Sequence, residues 1–134
     1  MDKEVLVQEA ACTSFTMMVS TKKERLEPYL FDIIKIITRV FDTYTGSSLL
    51  TLYDIISLLT DNYEDHFKNP NLINDLVKCI MKKWYVMLKT DDYKNVSPVF
   101  DMICSIIRVS SHLMIEFVND FINSSLRLIE VNLN

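Results

Sequence analysis

One glycine, Gly46, stands in a chain of 134 residues with three prolines, and this scarcity excludes more than any motif establishes. Hairpins, sandwiches and barrels need turn residues every few positions, and phosphate-cradling loops need clustered glycines, so none of these is written here. Cysteine is sparse as well. Cys12, Cys79 and Cys104 lie far apart with no CxxC pair, which leaves no encoded zinc site or disulfide framework and points to a reducing compartment. Cys79 and Cys104 fall at helix-interior positions, where packed thiols are commoner than nucleophiles. The two histidines, His66 and His112, are distant in sequence, and no serine sits in a GxSxG elbow. No catalytic, cofactor-binding or metal-binding residue is therefore assigned, and an enzyme is not expected.

Long apolar runs are also missing. Asp32 and Lys35 interrupt one stretch and Asp54 another, well short of the roughly 18 residues that cross a bilayer. Met1 is followed by charged residues rather than the apolar centre of a signal peptide. The net charge of −4 argues against a nucleic-acid surface and favours a basic partner.

What the chain does have is helical periodicity. It is 49% hydrophobic and 24% charged, ordinary globular material, and with so few turn residues its class is all-α. From Asn71 to Leu88, at about 100° per residue, Ile73, Leu76, Val77, Ile80, Trp84 and Met87 share one stripe, with Asn74, Asp75, Lys78 and Lys82 opposite. Five further segments read the same way, giving expected helices over 3–19, 26–44, 48–63, 71–88, 98–110 and 113–131. Pro28 and Pro70 sit where a first-turn proline is tolerated, Ser47 or Ser48 is positioned to cap the third helix, and Ser97 the fifth. In the third helix Leu52, Tyr53, Ile55, Ile56 and Leu59 form the buried side, and Leu50, Asp54, Ser57 and Asp61 lie away from it.

The helices recur. Each odd-numbered one carries an acid among hydrophobic or small residues, in VQEAA, LYDII and VFDMI, and Asp54 follows Glu9 by 45 residues while Asp101 follows Asp54 by 47. Two helices per period of about 40 to 47 residues is the signature of HEAT or armadillo repeats, so the expected fold is an α-solenoid, a right-handed superhelical stack of antiparallel helix pairs. A two-helix unit cannot cover its own apolar stripe and leans on neighbours at both sides. Phe15, Met17, Met18, Phe117, Phe121 and Leu126 on the first and last helices are not polar caps. Residues 1–134 therefore read as one segment of a longer array, and exposed ends leave end-to-end self-association open.

Equivalent positions of successive repeats line one face, so Glu9, Asp54 and Asp101 form a ladder suited to an extended basic peptide with a few apolar anchors. One acid near the first turn of each helix would equally complement its dipole. Trp84 has two readings as well: a core tryptophan on the stripe, or an indole emerging beside Met81 at the helix end to grip a ligand.

At these residues the sequence resembles the transportin branch of the karyopherin-β family, nuclear import receptors built of HEAT repeats. The likeness runs through VQEAAC in the first helix, Pro28-Tyr29-Leu30 in the second and LLTLYD from Leu49 to Asp54 in the third. It continues through Asn69-Pro70, Ile73, Lys83-Trp84 and Met87-Leu88-Lys89. The resemblance implies a central part of the receptor arch, where cargo signals of the proline-tyrosine class bind as extended chains and the receptor shuttles between cytoplasm and nucleus. It implies that Trp84 anchors the proline-tyrosine end, with Met81, where the family often has isoleucine, in the same pocket. Leu49 and Leu50 would make a neighbouring contact, and Asp54 and Asp101 would supply charge. The Ran GTPase would bind through repeats outside this chain, and no nucleic acid or membrane would be bound. An alternative is a HEAT or armadillo scaffold or adaptor of another pathway that binds folded protein partners.

Overall fold

Asn69 and Pro70 fix the start of the longest helix. The Asn69 side chain accepts from the Asn71 backbone N–H at 3.0 Å, and Pro70 takes the first helical position, where its missing N–H is no loss. The helix ends where Asp91 turns left-handed at φ 53°, a conformation that aspartate tolerates better than most residues. Ile73, Leu76, Val77, Ile80, Trp84 and Met87 are buried along it, the whole of the stripe that periodicity marks.

The computed structural model describes residues 3–94 and 96–133, and no strand occurs among them. In chain order the helices are α1 (Lys3–Thr21), α2 (Lys23–Leu26), α3 (Leu30–Val40), α4 (Gly46–Asn62), α5 (Glu64–Phe67), α6 (Pro70–Thr90), α7 (Val96–Ser110) and α8 (Ile115–Leu133). Short 3-10 turns at Glu27–Tyr29 and Ser111–Leu113 lead into α3 and α8. Helix α1 packs on α4 and α4 on α7, forming one layer, while α3 packs on α6 in the other. Aromatic side chains carry α6 onto α8. The fold is an all-α solenoid of HEAT-type helix pairs around one continuous apolar core.

The repeat shows directly in the hydrogen bonds. The Tyr63 hydroxyl donates to the Lys23 carbonyl at 2.7 Å, and the Ser110 hydroxyl donates to the Phe67 carbonyl at 2.6 Å. His66 meets Glu27 at 2.7 Å, His112 meets the Lys68 carbonyl at 3.2 Å, and Arg108 reaches Asp61 and Glu64 at 2.7 Å each. Each of these ties the turn of one pair to the turn of the pair before it, 39 to 47 residues earlier.

Several local expectations need correction. The helix expected over 26–44 is broken into α2, a 3-10 turn and α3, because Pro28 falls inside the turn, where it cannot donate to a continuing α-helical ladder. Neither Ser47 nor Ser48 caps α4. Thr45 precedes the helix in extended conformation, and the hydroxyls of Ser47 and Ser48 reach α1 instead, at the Glu9 carboxylate and the Val5 carbonyl. Gly46 takes φ +57°, and nothing lies within 4 Å of where a Cβ would stand, so backbone conformation rather than space calls for glycine there. Ser97 lies within α7, one residue past its start.

At the two ends the picture divides. Met17, Met18, Phe31 and Ile36 are exposed on α1 and α3, as are Ile122, Leu126 and Ile129 on α8. Phe117 and Phe121, grouped by sequence with these end residues, turn inward and are buried.

Candidate partner-binding face

Helix α4 carries three of the sequence-predicted site residues, and its pitch sorts them. Leu49 is buried, Leu50 next to it is half-buried, and Asp54, one turn on from Leu50, is exposed. Asp101 is exposed on α7, the helix packed beside α4. Leu50, Asp54 and Asp101 therefore belong to two adjacent helices of one layer. The third rung differs: Glu9 on α1 is half-buried and accepts a hydrogen bond from the Ser47 hydroxyl, which ties it to the stack.

Trp84 and Met81 belong to the other layer, on α6. Of the two readings of Trp84 the structure has the packed one, with 0% of the residue exposed. The Phe121 ring stands 4.8 Å away, centroid to centroid, and the Phe100 ring 6.5 Å, both edge-on, while Phe100 and Phe121 lie 5.0 Å apart. An indole at the end of a stripe is covered when a later helix supplies rings at the right height, and α8 does so. The indole N–H is nevertheless buried without a hydrogen-bond partner, as is the Tyr53 hydroxyl. Met81 is half-buried one turn earlier.

Helix α8 closes over this cluster only in part. The Tyr85 hydroxyl donates to the Asp120 carboxylate at 2.8 Å, and the Tyr85 ring meets Phe117 edge-on at 6.0 Å. Beyond that a cleft of 490 Å³ opens between α7 and α8, lined by Tyr93, Val96, Phe100 and Leu128 among others. A second cleft, of 530 Å³, lies between the end of α6 and α8 and shares Tyr93 and Leu128 with the first. Sequence reasoning missed Phe100 and these clefts, although the alternation of Phe100 with Asp101 on a helix face was a usable signal.

A third, polar cleft of 510 Å³ runs along the repeat turns, with Glu24, Glu27, Asp61, Glu64 and Asp65 in its lining. Arg108 from the next pair already bridges Asp61 and Glu64, and the two carboxylates hold its guanidinium pKa above the usual value.

Nothing in the ionisable groups resembles an activated nucleophile. Burial pushes the thiols of Cys12, Cys79 and Cys104 up, with Asp101 adding to the effect at Cys104, so all three are held protonated. Cys104, expected to be packed, is exposed. Burial, with the Asp42 charge second, pushes the Tyr53 phenol up to about 12. Among the described residues no three His, Cys, Asp or Glu side chains group as a metal site, and no helix is long and apolar enough to cross a membrane.

The chain is similar to Transportin-1 of Homo sapiens, 34% identical over 106 residues and 79% of its length. It is similar also to Transportin of Dictyostelium discoideum, 33% identical over 135 residues and 98% of its length. Importin subunit beta-2 of Schizosaccharomyces pombe is 29% identical over 105 residues, 78% of the chain. The chain spans 11 to 14% of the length of these relatives. No protein-family profile matches it, and no solved structure does. With 33% identity across nearly the whole chain, the recurring helix pairs and the ties between their turns, the chain is a transportin-like karyopherin segment.

Proposed function

We propose that this chain is part of a nuclear import receptor shuttling between cytoplasm and nucleus, and that it contributes a portion of the surface that holds proline-tyrosine localisation signals on cargo. The observation that carries the reading is the similarity to transportins over most of the chain. The placement of Asp54 and Asp101 supports it, since both are exposed on adjacent helices of one layer. An extended basic peptide laid across α4 and α7 meets a carboxylate on each, with Leu50 as an apolar contact and Leu49 packed behind it. Met81 offers a flexible, half-buried thioether side chain. Trp84 acts from beneath, and contacts a ligand only where α8 gives way. The apolar end residues on α1, α3 and α8 fit further repeats of a longer array, and Ran would engage repeats of that array outside this chain.

The test is a calorimetric titration of the chain with a basic proline-tyrosine peptide and with the same peptide carrying alanine at both signature positions. Saturable binding of the first, at least about tenfold tighter than of the second, is expected for an apolar anchor of hot-spot size. Equal binding of the two peptides would remove the signal-specific reading and leave a general acidic surface.

A further inference from the structure

A buried indole N–H without an acceptor is a cost that a settled core normally avoids, and here it lies beneath the last helix. We propose that α8 is a lid over Trp84, closed in this structure, and that its opening exposes the indole to a ligand. The proposal rests on the cargo reading for the ligand's identity, and on the structure alone for the lid.

Four observations point the same way. First, the rings that cover Trp84 from one side belong to α8: Phe121 at 4.8 Å, with Phe117 5.9 Å from Phe121. Second, the latch is an exposed side-chain pair, Tyr85 to Asp120, near the first half of α8, where water competes for both partners. Third, the second half of the helix stands off. Clefts of 490 and 530 Å³ flank it, and Ile122, Leu126 and Ile129 face solvent. Fourth, α8 joins α7 through the short 3-10 turn Ser111–Leu113 and through Met114 at φ −145° and ψ 39°, a non-helical link that can absorb a rotation. Phe100 completes the arrangement, because it touches Trp84 and Phe121 and also lines the cleft between α7 and α8. A side chain entering that cleft reaches Phe100 first and the indole once Phe121 has moved. The closed form leaves the indole donor unsatisfied, whereas the open form gives it water or a ligand carbonyl, so the gap between the two is narrowed by the desolvation cost of one buried donor.

Trp84 is the sole tryptophan, so its indole N–H gives one resolved signal in an NMR hydrogen-exchange experiment on the full chain. The lid predicts that the indole N–H and the central amides of α8 exchange together, faster than the amides of α4 and α6, which open only with the whole fold. Tyr85→Phe removes the latch and should speed exchange of the indole and of α8 by about fivefold, the weight of one hydrogen bond to a carboxylate, leaving α4 unchanged. An indole that exchanges as slowly as the α4 core, or a Tyr85→Phe effect spread evenly over all helices, would overturn the lid. If Tyr85→Phe lowers helicity, Asp120→Asn makes the same cut from the other side, and the wild-type comparison of α8 with α4 decides alone. Adding a proline-tyrosine peptide separates the two proposals. Faster α8 exchange with a shifted indole resonance supports both, whereas lid exchange that ignores the peptide keeps the lid and sinks the cargo reading of Trp84.

Discussion

At the scale of single residues, Trp84 and Tyr53 make opposite predictions. Trp84 fills the meeting point of α6, α7 and α8, so Trp84→Ala leaves a cavity and should cost about 3 to 5 kcal/mol of stability in urea unfolding, with Trp84→Phe costing less than half of that. A stable Trp84→Ala with only binding impaired would mean that the indole is not a core residue. Tyr53→Phe removes a buried hydroxyl that has no partner, and should leave stability at neutral pH unchanged or raise it by up to about 1 kcal/mol. Its signature lies at high pH. The Tyr53 phenol ionises near 10.0 when unfolded and near about 12 in the fold, so the stability it contributes is whole below pH 10.0 and drains away as pH rises to about 12. Urea midpoints measured below and above that window should fall less for Tyr53→Phe than for the wild type. The burial of both side chains was legible in the sequence, because the stripe of a helix follows from the helix's own spacing. That Phe121 would roof the indole was not legible, since its position depends on a helix that begins well after the tryptophan and on how α8 is angled.

At the scale of elements, what holds one helix pair to the next is a row of side-chain bonds at the turns. Tyr63 and Ser110 play matching parts, each sending a hydroxyl from the end of an inner-layer helix to a carbonyl of the preceding turn. Ser110 is fully buried, so Ser110→Ala strands the Phe67 carbonyl away from water and should lower stability by about 1 to 2 kcal/mol. The check is a urea midpoint beside that of Ser111→Ala, an exposed neighbour expected to be silent. The repeat was legible from the spacing of Glu9, Asp54 and Asp101 because equivalent helices keep equivalent residues. The caps were not. Ser47 and Ser48 have the right chemistry to cap α4, yet the neighbouring α1 offers the Glu9 carboxylate and the Val5 carbonyl, and a tertiary acceptor outcompetes the local one. Pro28 likewise marked a helix start in the sequence, whereas the chain spends it on a bend between α2 and α3 that turns the outer helix into place.

At the scale of the molecule, the question is whether the acids act as charges or as shape. The chain carries a net −4, and its acids are not equivalent: Asp61 and Glu64 are answered by Arg108, Glu9 by Ser47, while Asp54 and Asp101 face solvent on neighbouring helices. If the pair works by its field, Asp54→Asn combined with Asp101→Asn should weaken binding of a basic proline-tyrosine peptide about two- to fivefold at low salt. The effect should shrink toward nothing once the screening length falls to a few ångströms near 1 M salt. Glu9→Gln supplies the comparison, since it removes the same formal charge from a side chain already engaged within the stack, and it should change peptide affinity less than either aspartate. Both arms use one titration series at two salt concentrations, with helicity recorded for each variant. A loss that persists undiminished at high salt would assign the aspartates to the shape of the face. A loss as large for Glu9→Gln would spread the field over the whole layer instead of the α4–α7 pair. The distinction matters for a solenoid, because a field summed over many repeats grows with the length of the array, whereas a contact made by two residues does not.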